Sequence, residues 1–495
     1  MKIAGLDIGT TGCKLTVFDE TGKYLDKAYG EYQVSRHKSE HEINAGLIRD
    51  GVMEVIRAMA EKYGDIAGIG VTSFGETFVC TDEEGNPLLD SLLYTDPRGA
   101  IECEELVEKL GRHNLAEITG LNPHCMYGIS KMMWIKKHRP EVYHHTKYIF
   151  QMEDFVVFLL TGKRQIDYSL ATRTMAFDIR TLQWSEPIFR AAGIDMKRMS
   201  PVVPTGTTAG TVKREISLAT GLREDTKIIS ISQDQMSAAI GAGVFHKDVA
   251  ADGAGTVECI TPVLDKIPDN DVLYQGSYAV VPYIIPGKYV CYAFSFTGGA
   301  LVKWNIDNFC KLEKLQAKEQ GRNVYSLLEE NLPDEPTGLL VLPHFAGAAT
   351  PYMDSDSKGA ILGLTVSNTA PELHRAMMEG VTYEMMVNME HLRKAGIAPK
   401  SLRATGGGAN NRIWMQMKAD VLNIPIITLA SEEAGTVGSA MLTGIAIGVY
   451  RDLADAADHM VQTVDTYRPR PEYHEKYMAI YERYKKVYDA VRPLC

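Results

Sequence analysis

Near the N-terminus, an acidic residue stands directly before a short turn rich in glycine and threonine. The segment reads Asp7-Ile8-Gly9-Thr10-Thr11-Gly12-Cys13-Lys14. Backbone N–H and hydroxyl groups converge in such a turn, which suits phosphate oxygens. An acid at the end of a strand can hold Mg²⁺ directly or through water, and Lys14 adds positive charge. The GxxxxGK[ST] spacing of a Walker A loop is absent, so the segment predicts a phosphate site of another type or, alternatively, a structural hairpin.

Two later segments carry glycine patterns of a similar kind. Gly253-Ala254-Gly255-Thr256 joins two apolar runs, and Thr405-Gly406-Gly407-Gly408-Ala409-Asn410 precedes a segment of helical character. Glycine allows the backbone to approach a flat or charged ligand closely. The triple-glycine loop is therefore a candidate ligand contact, although a tight turn alone would also explain its glycines.

Asp234 follows the apolar run 228–231 and precedes small residues that can begin a helix. Open α/β sheets bind their ligands at the carboxyl ends of strands. An aspartate at such a place can act as a general base. Aspartate also favours the N-cap of a helix, and this segment on its own does not separate the two roles.

The elements that must position these residues alternate between strands and helices. Residues 2–8 and 14–19 predict a β-hairpin, and the second Gly/Thr tip predicts another about half a chain later. Residues 373–392 predict an amphipathic helix with its methionines toward the core. The alternation favours an α/β architecture, and the repeated hairpin suggests two domains built on one plan. We place the boundary after residue 244, just before the second hairpin.

Composition excludes several classes of protein. The chain has 495 residues, of which 45% are hydrophobic and 23% charged, with a formal net charge of −11. These values are unlike those of a disordered chain, a collagen-like fibre or a small disulfide scaffold. A chain this acidic is a poor candidate for nucleic-acid or anionic-membrane binding, so we expect no nucleic-acid or membrane partner.

The eight cysteines and the N-terminus bear on the compartment. No CxxC pair occurs, which argues against a zinc site. We find no signal peptide and no run of about 18 apolar residues. We therefore expect a protein of the reducing cytoplasm.

Seven segments, in one order, resemble the FGGY carbohydrate kinases, within the superfamily of sugar kinases, actin and Hsp70-type ATPases. They are the two Gly/Thr tips and the runs 160–184, 342–365, 375–384, 405–426 and 435–450. The resemblance implies an α/β protein of two actin/hexokinase-like (ribonuclease H-like) domains with an interdomain cleft. It further implies a sugar-binding domain over 1–244 and an ATP-binding domain over 245–495.

The resemblance also implies roles for individual residues. Asp234 would be the general base, and Asp7 would organise Mg²⁺. The phosphate contacts would be Thr10, Thr11, Lys14, Gly255 and Thr256. The residues that frame the adenosine of ATP would be Gly298, Gly299, Gly407, Gly408, Ala409 and Asn410.

The acceptor site is the part in which this chain departs from its relatives. Glycerol kinases have Arg-Glu and xylulokinases Met-His where this chain has Gly75-Glu76. Glu76 suits a hydroxyl-bearing acceptor, and glycine suggests space for an acceptor larger than glycerol. The expected acceptor-binding residues are Gly75, Glu76, Asp96, Arg98, Asp234 and Gln235.

These inferences predict an ATP- and Mg²⁺-dependent kinase that phosphorylates a terminal hydroxyl of a ketose, a pentulose such as xylulose or a related ketose, or of a polyol. A glycerol kinase-like polyol kinase and a nucleotide-dependent switch without kinase activity are the alternatives. The expected partner is a small sugar or polyol. Related kinases are commonly homodimers, so a homodimer is a further expectation.

Overall fold

The computed structural model describes residues 1–37, 40–431 and 433–495. Packing divides the chain into two compact units. The first contains 1–243, 279–290 and 433–462, and the second contains 244–278, 291–432 and 463–495. The chain thus returns to the first unit twice after residue 243. The single domain boundary after residue 244 stays a prediction.

The strands are short and lie throughout the chain. In order they are β1 (Lys2–Ile8), β2 (Gly12–Asp19), β3 (Tyr24–Glu31), β4 (Val34–His37), β5 (Glu40–Ile43), β6 (Ile66–Ser73), β7 (Phe78–Thr81), β8 (Ser91–Leu92), β9 (Tyr148–Gln151), β10 (Ile166–Asp167), β11 (Phe177–Asp178), β12 (Gln183–Trp184), β13 (Val202–Val203), β14 (Thr207–Thr211), β15 (Lys227–Gln233), β16 (Val249–Ala254), β17 (Glu258–Leu264), β18 (Ala279–Pro282), β19 (Tyr289–Ser295), β20 (Leu340–Leu342), β21 (Ala360–Leu362), β22 (Ser401–Thr405), β23 (Ile426–Leu429) and β24 (Thr463–Tyr467).

Helices alternate with these strands. In order they are α1 (Ala45–Lys62), α2 (Ala100–Leu110), α3 (Arg112–Thr119), α4 (Gly128–His138), α5 (Pro140–His145), α6 (Met152–Thr161), α7 (Tyr168–Thr172), α8 (Glu186–Ala192), α9 (Arg214–Thr220), α10 (Asp234–Gly241), α11 (Val272–Gln275), α12 (Gly299–Phe309), α13 (Lys311–Glu319), α14 (Val324–Glu329), α15 (Ala370–Lys394), α16 (Arg412–Leu422), α17 (Ala434–Ala446), α18 (Leu453–Met460), α19 (Pro471–Tyr484) and α20 (Val487–Val491).

The first unit is built on a sheet with the strand order β14-β15-β6-β1-β2-β3. Strands β15, β6 and β1 are parallel, whereas β1-β2 and β2-β3 are antiparallel. The parallel strands are almost entirely buried. Their near-continuous apolar sequences follow from this burial, because helices cover both faces of a parallel sheet.

Helices α10 and α17 cross at two glycines. A Cβ atom on Gly438 would lie 1.9 Å from the carbonyl oxygen of Ser237, and one on Gly241 would lie 2.0 Å from that of Ala434. Both approaches are closer than any side chain tolerates, so only glycine permits this crossing. The close packing fixes α10, and with it Asp234 at its first residue.

The second unit repeats the plan of the first. Strands β16 and β17 form an antiparallel hairpin, and β16 pairs in parallel with β22, which pairs in parallel with β23. In the first unit, β1-β2 is the hairpin and β1 pairs in parallel with β6. Both hairpins predicted from the sequence are therefore confirmed.

Helix α15 runs through the core of the second unit. A capping box formed by Thr369 and Glu372 begins the helix, and this arrangement satisfies two backbone N–H groups. Its methionines are buried, as the helical spacing predicted. No helix within the described part of the chain is long and apolar enough to span a bilayer.

Candidate active site

Three neighbouring strands of the first unit end at one edge of their sheet. Ile8 of β1 pairs with Ser73 of β6, and Ser73 pairs with Gln233 of β15. Neighbouring strands lie about 5 Å apart, so the segments that follow them begin close together. These segments are the Gly/Thr turn after β1, residues 75–76 after β6, and Asp234 after β15. The sheet therefore gathers three of the segments that the sequence analysis singled out.

The carboxyl of Asp7 lies beside the N-terminal turn of α17. A Cβ atom on Gly435 would lie 3.3 Å from Oδ2 of Asp7. Oδ1 is buried and accepts no hydrogen bond from the residues that the structure describes. Burial raises the pKa of Asp7 to about 6, against the opposing effect of Lys14. The residue thus has one oxygen that is ready for a ligand.

The Gly/Thr turn after Asp7 is held by its backbone. The N–H of Gly9 donates to the carbonyl oxygen of Gly12 (2.9 Å), and the N–H of Tyr32 donates to that of Thr11 (3.1 Å). The hydroxyl of Tyr32 donates to the carbonyl oxygen of Gly9. Thr10 and Thr11 reach the surface at this turn, where they could meet phosphate.

Lys14 is already engaged in an ion pair. Its ammonium contacts Glu433, just before α17, and Glu433 also accepts from Lys27 at 2.9 Å. A phosphate that binds Lys14 must therefore share the ammonium with this carboxylate. The sequence analysis did not single out Glu433, because it lies 419 positions away along the chain.

Asp234 is partly exposed and begins α10. The backbone N–H of Gln235 donates to its Oδ1 at 2.7 Å. Burial, and then the charge of Asp7, raise the pKa of Asp234 to about 8, and Glu76 adds to the increase. A carboxyl with a pKa near neutral, at the end of a strand and beside other acids, is typical of acid–base catalysts.

Glu76 forms a buried ion pair with Arg173. Nε of Arg173 lies 2.5 Å from Oε1 of Glu76, and a terminal guanidinium nitrogen contacts the same oxygen. Glu76 adopts a left-handed φ of 66°, which is uncommon outside glycine and frequent at functional sites. The pair therefore holds a strained residue at the edge where Asp234 begins α10.

The space expected beside Gly75 is occupied. A Cβ atom on Gly75 would lie 2.8 Å from Cγ of Arg173. Glycine at this position therefore makes room for the arginine and not, as the sequence suggested, for a larger acceptor.

The short helix α7 connects the segments that carry Asp234 and Glu76. Asp167 caps its N-terminus by accepting from the backbone N–H of Ser169 and Leu170. The hydroxyl of Ser169 accepts from the backbone N–H of Gln233 at 2.8 Å, directly before Asp234. Arg173 directly follows α7 and contacts Glu76. The segment of α7 and Arg173 therefore contacts both the residue before Asp234 and Glu76.

Asp96 and Arg98, expected to bind the acceptor, pair with each other. Nε of Arg98 donates to Asp96 at 2.8 Å, and a terminal nitrogen bridges to Glu42 at 2.7 Å. The backbone N–H of His41 also donates to Asp96. These contacts fix a surface loop, and direct binding of the acceptor by either residue stays a prediction.

In the second unit, the second Gly/Thr tip meets the start of α12. The N–H of Gly299 donates to the carbonyl oxygen of Gly255 (2.8 Å), and the N–H groups of Gly298 and Ala300 donate to that of Thr256 (3.0 and 3.1 Å). Gly298 and Gly299 were expected to frame adenosine, but their backbone lies on the predicted phosphate tip. Their contact with adenosine stays a prediction.

A buried charged cluster lies beneath this tip. Nζ of Lys418 lies 2.7 Å from Oδ2 of Asp252 and also contacts Glu258. The ammonium lies 5.1 Å from the ring centre of Trp414. Burial raises the pKa of Glu258 well above its usual range. Since Asp252 and Glu258 flank the tip on β16 and β17, Lys418 ties both ends of the hairpin to α16.

A cavity of about 260 Å³ opens beside the glycine-rich loop. Its lining includes Ala409 and Asn410 from the predicted adenosine site. It also includes several residues that the sequence analysis missed, namely Arg412, Ser431, Asp465 and Tyr467. Gly408 packs below the loop, since a Cβ atom there would lie 2.9 Å from the carbonyl oxygen of Ala254. The loop therefore joins the cavity to the start of the phosphate tip.

The donor set suits Mg²⁺ bound through a phosphorylated ligand. Within the described residues, no group of three or more His, Cys, Asp or Glu side chains is arranged to hold a metal ion. Mg²⁺ commonly binds through one or two carboxylates, several waters and phosphate oxygens. Asp7, with its open Oδ1, fits the role of that carboxylate.

Comparison with known families gives two matches along the chain. The model described as "FGGY family of carbohydrate kinases, N-terminal domain" matches residues 2–241, and its C-terminal counterpart matches residues 259–447.

Individual relatives match nearly the whole chain. A xylulose kinase of Bacillus subtilis strain 168 is 27% identical over 99% of this chain and 97% of its own length. A gluconokinase of Bacillus licheniformis is 27% identical over 96% of this chain and 93% of its own length. The solved structure of a ligand-bound xylulose kinase from Lactobacillus acidophilus superposes with a TM-score of 0.89, at 24% identity, over 99% of this chain and 98% of that chain.

Proposed function

The chain belongs to the FGGY family of carbohydrate kinases and is an ATP-dependent carbohydrate kinase, and on that premise we propose that it phosphorylates a terminal hydroxyl of a ketose, with Asp234 as the general base. A pentulose such as xylulose is the first acceptor we propose, in line with the named relatives. The supporting observation is the position of Asp234. It is partly exposed at the start of α10, and the charges of Asp7 and Glu76 raise its pKa.

The reaction needs a base, charge neutralisation and exact positioning more than covalent catalysis. Asp234 takes the proton of the acceptor hydroxyl. At the same time the oxygen of that hydroxyl bonds to the γ-phosphorus of ATP, and the bond between the γ-phosphorus and ADP breaks. Within the first unit, Thr10, Thr11 and Lys14 are the proposed phosphate contacts. Within the second unit, the proposed phosphate contacts are Gly255 and Thr256. Mg²⁺, when bound at Asp7, neutralises charge on the phosphates.

The nucleotide base and ribose occupy the cavity beside the glycine-rich loop. Ala409 and Asn410 of the loop line this cavity, and Arg412 and Tyr467 add polar and aromatic surface to it. Gly407 and Gly408 of the same loop are proposed to contact the adenosine beside them. Pockets of this kind commonly combine a backbone wall with a few polar groups.

A coupled ADP-release assay tests the proposal. With ATP and Mg²⁺ present, we expect D-xylulose or D-ribulose to stimulate ADP release strongly over the rate without acceptor. If glycerol is the best substrate, the polyol kinase alternative is favoured over the ketose kinase. The presence of Glu76 is consistent with that alternative. No stimulation by D-xylulose, D-ribulose, D-fructose, glycerol or D-gluconate would reject the proposed acceptors and favour a nucleotide-dependent switch.

The rate should rise with pH because Asp234 works only when it is deprotonated. Burial and Asp7 raise its pKa to about 8. We expect kcat/KM for the acceptor to increase about tenfold per pH unit below this pKa and to level off above it. Two acceptors should give the same apparent pKa, since the titrating group belongs to the protein. A profile that is flat from about pH 6.5 to 9.5 would contradict the assignment of the base.

Glu76→Gln should weaken acceptor binding selectively. The amide keeps the shape of the side chain. It loses the negative charge that pairs with Arg173 and that strengthens the hydrogen bond from a hydroxyl of the acceptor. We expect KM for the acceptor to rise about tenfold, the effect of losing one charge-assisted hydrogen bond, while KM for ATP stays near the wild-type value. Glu84→Gln, at an exposed position, is the control. Unchanged acceptor KM would remove Glu76 from the site.

A further inference from the structure

We propose that Arg173 positions Glu76 for acceptor binding. This rests on the proposed function, in which Glu76 binds the acceptor. Arg173 was not among the residues expected from the sequence. It lies 97 positions after Glu76, and only the fold brings the two together.

The contacts of the ion pair orient the carboxylate of Glu76. Two nitrogens of Arg173 contact Oε1 of Glu76. Oε2 takes no part in these contacts. Two charge-assisted contacts to one oxygen hold Oε1 in place and leave Oε2 as the oxygen available to a ligand. Arg173 therefore presents Oε2 as the acceptor for a substrate hydroxyl.

The surroundings of Arg173 fix its own position. The ring centre of Tyr127 lies 5.2 Å from Cζ of the guanidinium, within the range of a cation–π interaction. On another side, Arg173 packs over Gly75, where a Cβ atom would lie 2.8 Å from Cγ and 3.2 Å from Cβ of the arginine. Both residues of the pair are buried. The ring of Tyr127 and the missing side chain of Gly75 thus hold Arg173 in one position.

The test compares Arg173→Ala, Arg173→Lys and Gly75→Ala with wild type, with D-xylulose as the acceptor. Arg173→Ala should raise KM for D-xylulose about 10- to 100-fold with KM for ATP nearly unchanged, and Arg173→Lys should recover part of the loss. Gly75→Ala should act in the same direction, because the new methyl group displaces the arginine.

A pH profile separates positioning from a purely structural role. Arg173 lowers the pKa of Asp234, so Arg173→Ala should shift the rise of kcat/KM toward higher pH. Arg190→Ala breaks an exposed Arg–Glu pair and is the matched control, which should change neither KM nor the profile. Thermal unfolding of Gly75→Ala and Arg173→Lys shows whether they remain folded.

The outcomes distinguish this inference from the proposed function. If D-xylulose is phosphorylated but its KM is unchanged in Gly75→Ala and in Arg173→Ala, the role of Arg173 is rejected and the kinase proposal stands. No turnover with any acceptor rejects the proposed function and this inference with it.

Discussion

Asp234→Asn is expected to lower kcat by about 10²- to 10⁴-fold, which is the usual contribution of a general base. Asparagine keeps the shape of the side chain but cannot take the proton of the acceptor hydroxyl. ATP binding should persist, because the residues proposed to bind ATP do not include this carboxylate as a ligand. Single-turnover phosphorylation of D-xylulose measures the first effect, and calorimetric titration with ATP measures the second.

The folded protein should tolerate this change. The pKa of Asp234 is about 8 in the fold, against 3.8 for an ordinary aspartate. A raised pKa means that the ionised side chain costs stability once the pH exceeds the ordinary value, so a neutral amide relieves that cost at pH 7. We expect the thermal midpoint of Asp234→Asn to equal or exceed that of wild type.

Asp225→Asn is the matched control for Asp234→Asn. Asp225 is exposed and pairs with the exposed Arg223, and such pairs contribute little to stability. The control should retain wild-type turnover and unfolding. If Asp234→Asn also turns over within about threefold of wild type, Asp234 is not the base.

Lys418→Met should be the most destabilising single change among those proposed. It would leave Asp252 and Glu258 buried without their cation, and breaking a buried ion pair in this way costs about 3–5 kcal/mol. Both acids flank the second phosphate tip, so ATP affinity should fall together with the stability of the second unit. Urea denaturation measures the free energy of unfolding, and ATP titration measures the binding.

Two further variants make the Lys418 prediction specific. Lys400→Met removes an exposed ammonium that pairs with Asp248, and it should change the free energy of unfolding by less than about 1 kcal/mol. The triple variant Lys418→Met/Asp252→Asn/Glu258→Gln removes the stranded charges and should recover most of the lost stability. A single variant as stable as wild type would show that the cluster does not hold the hairpin.

Structural features that depend on neighbouring residues could be predicted from the sequence. The hairpins at both Gly/Thr tips, the strand before Asp234 and the buried methionines of α15 follow from apolar periodicity and turn chemistry. The resemblance to FGGY kinases also lay in the sequence, because it rests on short motifs in a fixed order. Each of these features depends on residues close together along the chain.

Pairings between distant residues were decided only by the tertiary structure. Arg173 on Glu76, Glu433 on Lys14, and Lys418 between Asp252 and Glu258 join residues 97 to 419 positions apart. No periodicity or spacing encodes such contacts, because they depend on which helices return to which sheet.

Gly75 illustrates the difference between the two kinds of information. From its type alone, glycine predicted open space for a larger acceptor. In the fold, Arg173 fills that space, because α7 delivers the arginine to the strand edge where Glu76 lies. The types of the residues at this edge of the sheet could thus be predicted from the sequence. The neighbouring charges that shift the pKa of Asp234 and orient Glu76 were determined only by the packing of distant segments.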